Sequence, residues 1–416
     1  MLLNNFIESI VHFKRRIMSK KFFVVLMAFA LLLGACAPAA SKSDVPAVCG
    51  TDKAGCAVIA KGSTVKVGFA GPLAGDYAAY GQDQVNAMLL AIKDAGDING
   101  WAIEMVAEDD GASAEGGAAV ANKMASDPAF IAIAGPAFSG DSAAAIPIFE
   151  KASIPMMSPS ATNPELTAKG SAVFNRNAFT DEDQAKAASA YFYNEVGVRK
   201  VAILHDGSDY GQGIASGLEV DFKALGGEVV AFEAITSGEA DYSAVLAAVA
   251  SKAPEAIYYG GYNSEASVLV NQMKQAGLEN VIFFGGDGIF GTDFLTKAGK
   301  NGEGALCTTM VPPASDARKK FDEAFRTAYG VEPGTITAYT WGSYDAMAVL
   351  LKVIKDVSIV SGEKLYIPRA ALVEAVRTVK DFTGVAGTIT CQQTGECNAS
   401  GPIIYHVKDG DWVVVE

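Results

Sequence analysis

The sequence predicts an α/β protein made of two doubly wound lobes, each with a parallel sheet at its centre. Two separate series of short apolar runs, alternating with helix-periodic segments, carry that prediction. Composition agrees. Half of the 416 residues are apolar, and 43 glycines supply the tight turns such alternation needs. The length suits roughly two to three domains with a large core.

The N-terminus speaks to compartment. Lys20 and Lys21 precede an apolar run over 22–33, followed by Gly34, Ala35 and Cys36. A basic start, an apolar stretch too short to span a bilayer and small residues at its end describe an export leader. Its ending, LLGAC, resembles a bacterial lipobox in which Cys36 becomes the lipidated first residue. Met18 fits the start of such a leader better than Met1. Residues 1–36 are therefore read as leader plus lipidated Cys36, and 37–62, small, polar and Pro-bearing, as a flexible tether. The chain carries a net charge of −14, and cleavage before Cys36 removes five basic side chains and one acid. The remaining surface repels phosphate backbones, which argues against a nucleic-acid partner.

In the first series, VKVGFAG (65–71) is a strand, and 80–95 a helix with Val85, Met88, Leu89 and Ile92 on one face. Strand 101–110, helix 115–126, strand 130–135 and helix 142–151 follow, and 154–157 reads as a short buried strand. The second series runs helix 181–195, strand 201–206, helix 210–225, strand 228–235, helix 242–251 and strand 256–261. A helix reaching 276 and strands at 281–287 and 305–310 complete it. Helices at 317–329, 338–357 and 369–379 come next, with short strands near 385–390, 403–407 and 412–415.

In doubly wound sheets a ligand sits beyond the carboxyl ends of the strands. The turns there are 71–80, 136–142 and 158–163 in the first series, and 205–210, 260–263 and 285–289 in the second. Three from each side describe a cleft between two lobes. SPSATNPEL (158–166) stands out: a strand ends in hydroxyls and amides just before Pro164 and Glu165 open a helix. Such a turn offers donors to an anion, although Ser/Thr-rich turns are also common as plain connections.

Cysteine spacing predicts two local bridges outside the cytoplasm, Cys49 with Cys56 and Cys391 with Cys397, leaving Cys307 free in an apolar strand. The sequence contains no CxxC, and His12, His205 and His406 are its only histidines, so neither a metal nor a cofactor is expected. GGDG (285–288) and GQGIASG (211–217) look like nucleotide-binding glycine turns. The first belongs to cytoplasmic ATP enzymes, and the third Gly of the second is one residue late for GxGxxG. His205 and Asp206 adjoin a turn, but no nucleophile, base and orienting group assemble around them, so no enzyme activity is expected.

Five strings, SPSATNPELT, ILHDGSDYGQG, AITSGEADYSAV, YYGGY and FFGGDG, resemble the leucine/isoleucine/valine-binding proteins. These are amino-acid receptors of branched-chain ABC transporters with the type I periplasmic-binding-protein fold. The likeness runs from about Val65 to the C-terminus. It implies a three-segment hinge, with lobe 1 formed by 63–180 plus 311–388 and lobe 2 by 181–310 plus 389–416. It also implies that Ser139, the amide at Ser160 or Ala161, and Thr162 hold a ligand carboxylate. Asp287, one methylene shorter than the family's Glu, would hold the ammonium. Tyr80, Tyr210, Tyr262 and Tyr339 would line the cleft, with Ala137 and Phe138 starting the side-chain pocket. The family's first-lobe disulfide is missing, its positions matching Ala112 and Phe138. The resemblance implies a monomeric, lipid-anchored receptor that delivers an amino acid, branched-chain by family habit, to an ABC permease. The alternatives it leaves are a sensor of the same fold, or a receptor for an amide, urea or aromatic acid.

Overall fold

The computed structural model describes residues 45–397 and 401–415; the leader, Cys36 and the first part of the 37–62 segment lie outside them. The second part of that segment is folded, which corrects its reading as a tether. A short helix, Ala47–Thr51, leads to strand β1 (Cys56–Ala60), and the Cys49–Cys56 disulfide joins the two. β1 pairs antiparallel along its length with a strand at Lys364–Pro368 and turns Ala57 and Ile59 into the core. Five small residues read as a linker because their partner strand lies some 300 positions away.

The first sheet contains β2 (Val65–Gly71), β3 (Asp97–Ile98), β4 (Trp101–Asp109), β5 (Phe130–Ala134), β6 (Met156–Ser158) and β7 (Phe174–Arg176). Their order is β3-β4-β2-β5-β6-β7, parallel except for β3. The second sheet contains β8 (Lys200–His205), β9 (Glu228–Ala234), β10 (Ala256–Gly260), β11 (Ile282–Gly285) and β12 (Leu306–Thr309). These are parallel in the order β9-β8-β10-β11-β12, and two antiparallel strands, Ile403–Lys408 and Asp411–Val414, extend the β12 edge. Helices cover both faces of each sheet, as the continuous apolar runs require. Val67 and Phe69 pack with Met88, Met347 and Leu350 on one side of the first sheet; Ile133 and Met156 pack with Val120, Met124 and Phe149 on the other. In the second sheet, Ile203, Tyr258 and Phe284 face Ile214, Leu218 and Phe222, while Leu204, Tyr259 and Phe283 face Leu246, Leu269 and Phe294.

Ser113, Thr180, Ser208 and Ser315 each accept a backbone N–H from the first turn of the following helix, which fixes where those helices begin. Several boundaries depart from expectation, and two of these involve about a whole helical turn. The helix expected over 181–195 ends at Ala190 and continues as a wider π turn, Tyr191–Val196. The helix expected from 142 begins at Ser139, because the Ser142 N–H already reaches the Phe138 carbonyl. That second difference moves Ser139 from a loop to the first turn of a helix.

The chain passes between the sheets after β7, after β12 and before Ile403. The first and third passages bind each other. Arg176 N–H donates to Gly395 O (2.9 Å), and Cys397 N–H donates to Arg176 O (2.8 Å). The fully buried Arg176 guanidinium pairs with Glu396, Nη2 to Oε1 at 2.6 Å and Nε to Oε2 at 2.9 Å. Glu396 sits inside the loop closed by the Cys391–Cys397 disulfide. Nearby, Arg377 Nη1 donates to Gln393 O (2.6 Å) and its Nη2 to Phe174 O (2.7 Å). Cys307 is free and buried in β12.

Removing one partner of a buried pair leaves an uncompensated charge, which costs about 3–5 kcal/mol. Glu396→Ala should therefore lower stability in urea unfolding by about 3 kcal/mol. Glu363→Ala, which breaks the exposed Lys61–Glu363 pair, should leave the same transition unmoved.

Candidate functional site

In each sheet the strand order reverses at one point, beside β2 in the first and beside β8 in the second. Loops leaving the carboxyl ends of strands part there and open a crevice. The segment after β2 carries Tyr77 and, in the first turn of its helix, Tyr80; that after β5 carries Ala137 and Phe138 with Ser139 opening the next helix. The β8 and β10 loops carry Tyr210 and Tyr262. Two further turns flank these, 158–163 after β6 and Asp287 after β11.

Asp287 is the chemical centre. Its Oδ1 accepts from the Tyr210 hydroxyl (2.9 Å) and from Gln184 Nε2, and its Oδ2 accepts from the Tyr339 hydroxyl (2.7 Å). Gln184 is itself oriented, since its Oε1 accepts from Asp287 N–H (3.0 Å) and from the Thr308 hydroxyl (2.7 Å). The glycines of GGDG make this approach possible: a Cβ on Gly286 would lie 2.5 Å from the Tyr210 hydroxyl oxygen. A Cβ on Gly288 would lie 2.6 Å from Gly261 O. Burial raises the Asp287 pKa above the ordinary carboxylate value, and hydrogen bonds from Tyr339, Gln184 and Tyr210 oppose the rise. A second acid, Asp181, shares Gln184 Nε2 (3.2 Å). Burial first, and then the charge of Asp287, push the Asp181 pKa well above the ordinary carboxylate value. Of the side-chain donors to Asp287, two therefore meet Oδ1 and one meets Oδ2.

The 158–163 turn is fixed by its own hydroxyls. Ser158 Oγ donates to Pro136 O (2.6 Å) and accepts from Ala161 N–H (3.0 Å). Ser160 Oγ donates to Ala137 O (2.7 Å) and accepts from Gln84 Nε2 (2.9 Å). The Ala161 amide and the Ser160 hydroxyl are therefore committed to holding the turn. Arg176 Nη1 fastens it from behind, donating to Ala161 O (3.1 Å) and Asn163 O (2.7 Å). Ser139 Oγ accepts from Asn163 N–H (3.2 Å), which leaves its hydroxyl proton free to donate elsewhere. Its helix, Ser139–Ala152, follows an N-cap, Phe138, whose side chain makes no cap. The buried Asp141 carboxyl takes one N–H of the first turn, and the amides before it have no backbone acceptor within the helix and suit a carboxylate. Thr162 is buried, with its hydroxyl beside the Asp181 carboxyl.

Aromatic rings join the two ends of the site. From Asp287 the contacts run to Tyr210, then Tyr262 (5.1 Å between ring centroids), Phe138 (4.6 Å), Tyr80 (5.2 Å) and Tyr339 (6.4 Å), and back to Asp287. The circuit links the first sheet to the second at Phe138–Tyr262. Asn163 Nδ2 donates to Asp209 O (2.6 Å) and the Tyr77 hydroxyl to Glu265 Oε2 (3.3 Å), so the lobes stand closed on one another. The eleven cleft candidates from the sequence thus fall on neighbouring loops and helix starts, with Ala137 fully buried.

Comparison with known proteins accounts for this architecture. The family profile described as periplasmic binding protein matches residues 64–411. The chain belongs to the periplasmic binding protein family. An amino acid binding protein of Pseudomonas aeruginosa is 33% identical over 290 residues, 68% of this chain and 77% of that one. The leucine binding protein LivK of Thermotoga maritima superposes with a TM-score of 0.77 at 28% identity, covering 85% of this chain and 98% of that one. LivJ of Streptococcus pneumoniae, a branched-chain amino acid transporter substrate binding protein in complex with isoleucine, gives 0.75 at 29% identity, with 85% and 99% covered.

Four residues of this binding protein's site were not found by sequence reasoning: Tyr77, Asp181, Gln184 and Arg176. Tyr77 lay inside a turn already singled out, three residues from Tyr80. Gln184 and Asp181 looked like the polar first turn of a helix, and only the fold brings them under Asp287.

The raised Asp287 pKa makes its ionised form a cost to the folded state above the ordinary carboxylate value of 3.8, a cost that disappears as pH falls through the raised value. Asp287→Asn should therefore raise the Tm of the unliganded protein at pH 7, by about 2–4 °C per kcal/mol relieved. The gain should vanish near pH 3.

Proposed function

We propose that this protein is an extracytoplasmic receptor for a zwitterionic amino acid, which it closes upon and presents to an ABC permease. One observation carries the reading: a buried carboxylate, Asp287, whose Oδ2 accepts a single side-chain hydrogen bond, stands across a closed cleft from a helix start that has no side-chain cap. An α-amino acid bears the two complementary charges. The Ser139 helix start and the adjoining Thr162 turn receive its carboxylate without burying a full positive charge. Asp287 Oδ2 receives its ammonium, strengthened by the exclusion of water on closure. The names of the similar proteins, amino acid and leucine binding proteins, support the same class. Anchorage through Cys36 after leader removal would keep the receptor beside its permease.

Contacts to both lobes exist only in the closed form, so the ligand shifts the population toward closure. Among single L-amino acids, at least one aliphatic member should raise the Tm, and its carboxamide should not. Ser139→Ala should weaken binding by about tenfold to a hundredfold, the worth of one hydrogen bond to a charged group. Asp287→Ala should abolish the response. Silence across the whole panel of amino acids would refute the proposal. Binding should also weaken as pH falls through the raised Asp287 pKa, because a protonated acid no longer attracts the ammonium; calorimetry across pH 4–8 reads this directly.

A further inference from the structure

We propose that Phe138 limits the size of the ligand, so that the receptor takes an amino acid with a small side chain, such as alanine or serine, over leucine. This rests on the amino-acid reading above and names the member of the class. The Phe138 ring lies on the Tyr262 ring with centroids 4.6 Å apart and planes at 24°. Faces that close are in van der Waals contact, and no ligand atom fits between them. Tyr80 meets Phe138 edge-on at 5.2 Å and Tyr77 does so at 5.7 Å, so Phe138 is held from three directions.

The direction of a ligand side chain follows from the circuit. The carboxylate lies at the Ser139 helix start and the ammonium at Asp287, whose flanks are occupied by Tyr210 and Tyr339. What remains for the side chain is the wall formed by Tyr80, Phe138 and Tyr262. A methyl or hydroxymethyl group can lie against that wall. An isobutyl group has to enter between Phe138 and Tyr262, where two ring-to-carbon contacts of about 3.5–4 Å each require the centroids to part to roughly 7–8 Å.

The two rings belong to different lobes, and this turns a size limit into a closure limit. Phe138 follows β5 of the first sheet and Tyr262 follows β10 of the second. A long side chain between them wedges the lobes apart and stretches the Asn163–Asp209 and Tyr339–Asp287 bonds that close the cleft. Leucine therefore loses part of the ammonium site as well as the fit of its side chain.

The test is calorimetric titration of the full mature chain with alanine, serine and leucine, for the wild type, Phe138→Ala and Phe138→Leu. Wild type is expected to bind alanine or serine at least tenfold tighter than leucine. Phe138→Ala should gain at least tenfold for leucine, and Phe138→Leu should fall between; the latter decides should the alanine variant fail to fold. Leucine bound by wild type as tightly as alanine, or a leucine affinity unmoved in the folded variants, would overturn the size limit alone. Binding of none of the three by wild type or variants overturns it too, while a response to other members of the amino-acid panel keeps the parent reading.

Discussion

The structure turns on one charged group taken out of water, the carboxylate of Asp287. Burying such a group costs several kcal/mol unless donors and an opposite charge surround it. Gln184, Tyr210 and Tyr339 supply neutral donors from three separate elements. They offset part of the cost, two meeting Oδ1 and one Oδ2. Much of the second lobe's local design follows: glycines on either side of Asp287 let Tyr210 approach, and Thr308 at the end of β12 fixes the amide of Gln184. Asp181 completes the arrangement: it shares the Gln184 amide, and burial together with the Asp287 charge disfavours its ionised form.

The first lobe solves the opposite problem. Its turn must present donors while burying its own carbonyls. Arg176, a fully buried cation, takes the carbonyls of Ala161 and Asn163, and Glu396 balances it from the disulfide-closed loop of the third passage. The turn is thus braced by the first and third passages between the sheets.

Much of this was legible in the sequence, for a physical reason. Parallel strands buried on both faces must be unbroken apolar runs, so FIAIA and AIYYG declare themselves, and the turns after them are where ligands bind. What escaped was whatever needed a distant partner. The β1 segment is apolar for only five residues and makes sense only beside Lys364–Pro368. Phe174–Arg176 is too short to show a period, and the roles of Arg176 and Glu396 appear only when 220 residues of intervening chain fold between them. The start at Ser139 was hidden because Phe138 is no capping residue, and the usual signal of a helix beginning was absent.

That missing cap has consequences beyond prediction. A Ser or Asp at position 138 would satisfy the first amides of the helix from within and withdraw them from any ligand. Phe138 offers them no capping oxygen. One residue thereby does two things: it leaves the helix start without a side-chain cap, and it carries the face that meets Tyr262 across the cleft. Donor availability and the contact between the two sheets' loops are tied to the same backbone position, so a change there alters both at once.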